Sequence, residues 1–215
     1  KIGKDRFGEI LKDDLLKEGV SIKDTLIVSE KVGTGSCYIC VDKKGDRMIL
    51  AYSGASDTLT PEDLPLEFFS KAKCVNLSDL RNISSIESLL ESDLPINFSI
   101  SPGALIAQNP SRAYRLAQQA KLIVASKKEF SEIFRCSEEE IDTVATNFVK
   151  ENKERIVAVT KGKDGATLFG REGIFNITIF PVNVVDTTGA GDAFTAGMLY
   201  AITREKSLKE AGKIA

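Results

Sequence analysis

The sequence predicts an α/β fold: a mainly parallel sheet covered by helices on both faces, with a small antiparallel β flap near its start. Three observations carry this. From Thr60 onward, short apolar runs of strand length alternate with stretches of helical length and spacing. Between Thr25 and Tyr52, strand-like segments succeed one another with no helix between them, parted only by the polar turn Asp42-Lys43-Lys44-Gly45-Asp46. No repeat, low-complexity run or flexible linker divides the 215 residues, so 1–215 is expected to form a single domain with a flap at about 25–52.

Asp5 to Gly19 reads as an amphipathic helix, with Phe7, Ile10, Leu11 and Leu15 at helical spacing and Gly19 suited to the residue just past its end. Ser36–Val41 and Arg47–Tyr52 read as the flap strands. Thr60-Pro61-Glu62-Asp63 carries the signature of a helix start: a capping residue, then proline, then acids. Strands are expected at Cys74–Leu77, Ile96–Ile100, Leu122–Ala125, Ile156–Thr160, Ala166–Phe169 and Phe175–Phe180. Helices are expected at Ile83–Leu90, Pro110–Gln119, Glu129–Phe134 and, after the capping box Ser137-Glu138-Glu139-Glu140, on to about Glu151. A last helix runs from Ala193 to about Ile202, and another opens at Ser207 and is expected to have been cut at Ala215.

Composition narrows the chemistry. A net charge of −2 argues against a nucleic-acid or membrane-surface partner. No apolar run approaches the roughly 20 residues of a membrane span, and the first residues do not read as a signal peptide. The chain has no histidine, which removes Ser-His-Asp triads, His-based zinc sites and imidazole bases. Acid–base work therefore falls to a carboxylate, Lys, Tyr or Cys. Cys37 and Cys40 form a C-x-x-C, but on a strand they point to opposite faces, and no second pair completes a zinc site. With Cys74 and Cys136 they read as core or half-buried thiols in a reducing, cytoplasmic setting.

The stretch Val184-Val185-Asp186-Thr187-Thr188-Gly189-Ala190-Gly191-Asp192-Ala193-Phe194 joins an alternating β-rich run (Ile174 to Val185) to a helix. Gly189 and Gly191 let the backbone turn sharply and approach a ligand, and the helix after them offers unpaired N–H groups and a positive dipole end. Together these make an anion site, with phosphate the obvious anion. A carboxylate beside a phosphate repels it, so Asp192 either caps the helix or handles a proton near a transferring phosphoryl group. The P-loop pattern G-x-x-x-x-G-K-S/T is absent, and G-x-G-x-x-G fails because Phe194 stands where its third glycine belongs.

In this context the stretch resembles the second signature of the ribokinase-like (PfkB) family of carbohydrate kinases, D-T-x-G-A-G-D, which Asp186 to Asp192 match in full. Supporting matches span nearly the whole chain. Ile2-Gly3-Lys4-Asp5-Arg6-Phe7-Gly8 is similar to the family's V-G-x-D-x-F-G segment, and Gly33-Thr34-Gly35 and Gly45-Asp46-Arg47 to the T-G and G-x-R elements of its β lid. Val159-Thr160-Lys161-Gly162-Lys163-Asp164-Gly165 is similar to its V-T-x-G-x-x-G nucleotide segment.

The resemblance implies a ribokinase-like three-layer sandwich with a β lid. It implies transfer of the γ-phosphoryl of ATP to a hydroxyl of a sugar or sugar-like molecule. Asp192 would take the hydroxyl proton, and the backbone N–H groups of Gly189, Ala190 and Gly191 would form the anion hole. Thr160, Lys161, Gly162 and Gly165 would line the nucleotide; a plain strand-end turn is the alternative, with Lys161 a solvated charge. Ser126 and Glu129 fall where the family has N-x-x-E, acting around Mg²⁺ and phosphate. Ser126 replaces the Asn, and Glu129 otherwise reads as a first-turn helix acid. Asp186 and Thr188 either help to bind a monovalent cation such as K⁺ or make a turn bond from the Asp186 carboxylate to the Thr188 backbone. Ser101-Pro102-Gly103 departs from the family's D-P-N strand end. The family's first strand with its Gly-Gly substrate motif is expected before Lys1, and an adenine-lining helix pair after Ala215. The flap would cover the substrate or pair with the flap of a second subunit in a homodimer. The alternatives are a nucleoside kinase using the same Asp192, or a non-catalytic nucleotide- or ligand-binding relative.

Overall fold

The computed structural model describes residues 1–43, 47–91 and 96–215. The chain divides into two compact units, Lys1–Phe68 with Leu80–Leu94, and Phe69–Asp79 with Pro95–Ala215.

In the first unit, β1 (Ile2–Gly3) pairs in parallel with β2 (Val28–Ser29), and α1 (Arg6–Lys17) lies between them in sequence. Asp5 starts α1 by accepting from the Gly8 N–H at 2.8 Å, and Gly19, with φ of 72°, ends it. The same carboxylate accepts from the Thr34 N–H and the Thr34 hydroxyl, both at 2.7 Å. Those three donors hold the Asp5 carboxyl below the usual carboxylate range, the Thr34 backbone bond contributing most. The Gly3 N–H donates to the Thr34 hydroxyl oxygen at 2.9 Å. Two segments that are far apart in sequence, Ile2–Gly8 and Gly33–Gly35, thus form one hydrogen-bonded knot.

The flap is a two-stranded antiparallel hairpin, β3 (Ser36–Val41) with β4 (Arg47–Tyr52), in register Ile39 opposite Ile49. Of its expected polar turn and G-x-R element, positions 44–46 lie outside the described residues. Its apolar side chains are exposed, Tyr38 at 71% and Ile49 at 59%. Cys37 and Cys40 are exposed as well, not core thiols, because this small sheet has no covering layer among the described residues; Cys74 and Cys136 are half-buried, and all four are free. On α1, Phe7, Ile10 and Leu11 are likewise exposed despite their helical spacing. The expected helix at Thr60 is a 3-10 turn, Pro61–Asp63, closed by the Thr60/Asp63 capping box. Pro65 then interrupts the run, and α2 starts only at Leu66 (Leu66–Lys71). α3 (Ser84–Leu90) belongs to this first unit.

The second unit is built on a six-stranded sheet, in the order β10-β9-β8-β7-β6-β5 among the described residues. β5 (Val75–Leu77), β6 (Phe98–Ile100), β7 (Leu122–Ser126) and β8 (Ile156–Thr160) run parallel; β9 (Ala166–Gly170) and β10 (Gly173–Ile177) complete it as antiparallel hairpins. Side chains alternate between faces. Leu122, Val124, Ala158 and Leu168 form one buried cluster with Met198 and Ala201 of α8 (Ala190–Ile202) and Leu208 and Ala211 of α9 (Leu208–Ile214). Ile123, Val157, Val159 and Phe169 supply the other buried face, served by α5 (Pro110–Gln119), α6 (Lys127–Phe134) and α7 (Ile141–Glu151). There Tyr114, Phe130, Phe134 and Phe148 pack with ring centroids 4.2 to 6.0 Å apart. The single turn α4 (Ala104–Ala107) has no counterpart in the sequence pattern.

Two boundaries position the site. β10 ends at Ile177, not Phe180, because its partner strand β9 begins opposite it at Ala166 and offers no ladder beyond. α8 begins at Ala190, three residues earlier than expected, because Gly189 adopts φ of 80° and turns the chain directly into the helix.

Candidate active site

In a sheet of parallel strands, ligands bind beyond the carboxyl ends, where chain exits and helix starts converge. Here that edge carries Asp79 after β5, Ser101 after β6, Ser126 at the end of β7 and Thr160 at the end of β8. Ser126 and Thr160 are direct partners in the ladder, so the structure brings these two candidate nucleotide positions side by side. Beyond Thr160 the chain makes a tight turn: the Lys161 N–H donates to the Gly165 carbonyl at 2.7 Å, and the Gly165 N–H to the Gly162 carbonyl at 3.1 Å. A side chain on Gly162 would meet nothing within 4 Å, so its backbone face is open to a ligand.

Ser126 is the cap of α6, and Glu129 completes a capping box. The Glu129 carboxylate accepts from the Ser126 N–H at 2.8 Å, and the Ser126 hydroxyl from the Glu129 N–H at 3.3 Å. One carboxylate oxygen of Glu129 is thereby committed to the helix start. Among the described residues no group of three or more Asp, Glu or Cys side chains converges as a metal cage.

α8 carries the candidate anion site at its start. Its last turn, at Ile202, and Glu205 just beyond line a cleft of about 600 Å³ together with Lys121, just before β7, and Ile156, the first residue of β8. A helix of 13 residues spans about 20 Å, so its other end projects toward the carboxyl edge. Gly189, Gly191 and Asp192 therefore lie at the same end of the sheet as Ser126, Thr160, Lys161 and Gly162. The Ala190 N–H donates to the Thr187 carbonyl at 3.2 Å, and the Ala193 N–H closes the first helical turn on the Gly189 carbonyl at 2.9 Å. The N–H groups of Gly191 and Asp192 precede that turn and have no partner among the described residues. Thr195, which no sequence motif singles out, is buried and donates its hydroxyl to the Gly191 carbonyl at 2.9 Å, fixing that peptide from behind. Asp192 sits in the first turn, exposed.

Asp186 forms the turn bond expected as one of its two roles: its carboxylate accepts from the Thr188 N–H at 2.9 Å and the Thr188 hydroxyl at 2.8 Å. Asp79 is a second residue that sequence reasoning missed. It accepts from the N–H groups of Leu105 and Ile106 at 3.1 and 3.0 Å, anchoring α4, and a Cβ on Gly103 would lie 2.5 Å from its carboxyl carbon. The signal available was an acid two residues past a parallel strand, in a fold whose strand ends carry the chemistry.

The pfkB family carbohydrate kinase model matches residues 1–215. A protein of Archaeoglobus fulgidus described as an uncharacterized sugar kinase is 30% identical over 223 residues, covering 100% of this chain and 85% of its own length. The ATP-dependent ribose-1-phosphate kinase of Halopiger xanaduensis is 30% identical over 200 residues, covering 92% of this chain; the chain spans 64% of that enzyme's length. Crystal structures of adenosine kinase from Sinorhizobium meliloti and ribokinase from Thermotoga maritima share the fold. Their TM-scores are 0.84 and 0.79, each at 22% identity; 99% and 98% of this chain and 67% and 69% of theirs are covered. With the family model matching residues 1–215 and the fold ribokinase-like, the chain belongs to the pfkB family of carbohydrate kinases, which are phosphotransferases.

Proposed function

We propose that this chain transfers the γ-phosphoryl group of ATP to a hydroxyl of a sugar or sugar-like small molecule, with Asp192 as the general base. The observation that carries the proposal is the start of α8, where two unpartnered N–H groups and a first-turn carboxylate stand together at the carboxyl edge of the sheet. Residues 1–215 act in this reading as one ribokinase-like domain.

Asp192 accepts the acceptor hydroxyl's proton as that oxygen bonds to the γ-phosphorus and the bond to the β–γ bridging oxygen breaks, releasing ADP. The backbone of Gly189, Ala190 and Gly191 faces the charge growing on the phosphoryl oxygens; the Ala190 N–H joins by turning from the Thr187 carbonyl. Thr160, Lys161 and Gly162 hold the nucleotide across their open turn, with Gly165 closing it and the Ser126 hydroxyl beside Thr160. Mg²⁺ fits this site as an ion carried by the phosphates, since the described residues offer no cage and Glu129 has one oxygen committed to Ser126. Bound there, it would neutralise charge on the transferring group, with Glu129 acting through water. Asp186 and Thr188 would take a K⁺ ion beside the anion hole, their turn bond already holding two oxygens together.

The exposed apolar hairpin β3–β4 supports a homodimer formed through paired flaps. Four free cysteines support a cytoplasmic location, and no described helix is long and apolar enough to cross a membrane. The test is to incubate the full-length protein with ATP, Mg²⁺ and a panel of sugars, sugar phosphates and nucleosides. Transfer to a sugar-type hydroxyl supports the proposal, transfer to nucleosides alone redirects it, and ATP binding without transfer to any acceptor refutes the kinase reading.

A further inference from the structure

The two halves of the proposed site, the nucleotide turn 160–165 and the helix start 189–192, are separated in sequence by β9, β10 and the strandless stretch 178–189. The first of them abuts the end of β10 at one point. Gly165 has φ of 82° and ψ of −134°, a backbone state that glycine alone adopts without strain. A Cβ there would run into the Ile177 carbonyl oxygen, with the Ile177 carbonyl carbon at 3.0 Å and the Thr178 Cα at 3.2 Å. Ile177 is the last residue of β10 and the last fixed by the ladder before the chain runs exposed toward Gly189. Its side chain is held from the other side: a Cβ on Gly212 of α9 would lie 2.6 Å from Ile177 Cγ1, and Ile177 packs against the cluster containing Met198 and Ala201 of α8. Ile177 is thus gripped at its backbone by the nucleotide turn and at its side chain by the layer that carries the anion-hole helix. Gly162, in the same turn, has left-handed φ of 58°, but a Cβ there would meet nothing within 4 Å, so it makes no such lock.

We propose that Gly165 is a positioning residue that locks the nucleotide turn onto the end of β10, so that the donor-binding turn and the anion-hole segment move as one body. The inference rests on the kinase reading for its consequence: in-line transfer demands that donor, anion hole and base keep register, and a misplacement of about 1 Å costs on the order of 10²-fold in rate.

The experiment compares Gly165→Ala, Ile177→Ala and, as a core change at the far end of the same cluster, Leu208→Val in the full-length protein. Steady-state kinetics give KM for ATP, KM for the acceptor and kcat; hydrogen exchange follows the amides of 161–165 and 189–193. Gly165→Ala and Ile177→Ala are each expected to raise KM for ATP at least about fivefold and lower kcat at least about tenfold, with acceptor KM within about twofold. Exchange should rise in both segments together in each variant. Leu208→Val should change neither KM, and a mere loss of folded protein lowers kcat alone. If Gly165→Ala does not fold, Ile177→Ala decides, because it alters neither the turn nor the motif. Exchange that rises in 161–165 while 189–193 stays as in the wild type overturns the coupling, as does a KM change with kcat intact. Should the wild type transfer phosphate to nothing, the kinase reading falls and the exchange data alone still decide whether the two segments are coupled.

Discussion

Arg155 offers the most quantitative test of the packing. It is 9% exposed and lies at the N-terminal side of β8, where α5 and α7 end. One guanidinium nitrogen donates to the Phe148 carbonyl at 3.1 Å and the other to the Gln118 carbonyl at 2.9 Å; the group also lies 4.2 Å over the Phe148 ring. Both carbonyls belong to last turns of helices and would otherwise have no partner. The exposed Glu151 carboxylate, at 3.5 Å, adds little. Replacement by Met keeps the volume and strands two carbonyls. That costs about 1–2 kcal/mol each, with roughly 1 kcal/mol more for the lost cation–π contact. Against this, the buried Nε, which has no partner, is removed, returning about 1 kcal/mol. The net is about 2–4 kcal/mol of destabilisation, or roughly 5–15 °C in Tm for a chain of this size. Urea unfolding followed by circular dichroism measures it as a shift in midpoint at unchanged slope. A variant within about 0.5 kcal/mol of wild type, or more stable, would refute the reasoning and mean that Arg155 behaves as a replaceable buried charge.

Other expectations concern caps and charges. Glu205 comes after α8 with φ of 58°, and the Lys206 N–H beyond it donates to the Ala201 carbonyl at 3.1 Å, so Glu205→Gly should stabilise by about 0.5–1 kcal/mol in thermal unfolding. Ser126→Ala removes the α6 cap and should cost about 1 kcal/mol by the same measurement, whereas Ser126→Asn should be nearly neutral. Asp5 titrates lower in the folded chain than its ordinary value of 3.8, so its contribution is present above that pH and lost as the pH falls through the lower folded value. Acid unfolding should therefore steepen below about pH 4 in the wild type and be blunted in Asp5→Asn, which is less stable at neutral pH because its amide nitrogen must face either the Thr34 N–H or the Gly8 N–H.

Much of this architecture is legible in the sequence because local chemistry and tertiary context agree. Strand–helix alternation, the Pro110 start of α5 and the capping box at Ser137 all state their elements directly. Where sequence and structure part, a partner outside the segment decides the outcome. The run from Phe175 has strand character through Phe180, but pairing stops where β9 stops. The Cys37 and Cys40 run looks like core strand, yet a two-stranded hairpin buries neither face. At the candidate site the motif Asp186–Asp192 announces its glycine-lined turn, while the reach of Thr195 to Gly191 and of Gly165 to Ile177 depends on contacts that sequence spacing does not encode.

In the proposed mechanism Asp192 acts on a proton and is more than a helix-start acid. Its most direct test is Asp192→Asn, with phosphoryl transfer and ATP binding measured on the same preparation. An amide keeps the shape and removes both the base and a negative charge at the helix start. Transfer is expected to fall at least about 10²-fold while ATP binds as tightly as to the wild type or tighter. Unchanged turnover would show that Asp192 only caps α8 and would contradict the assignment.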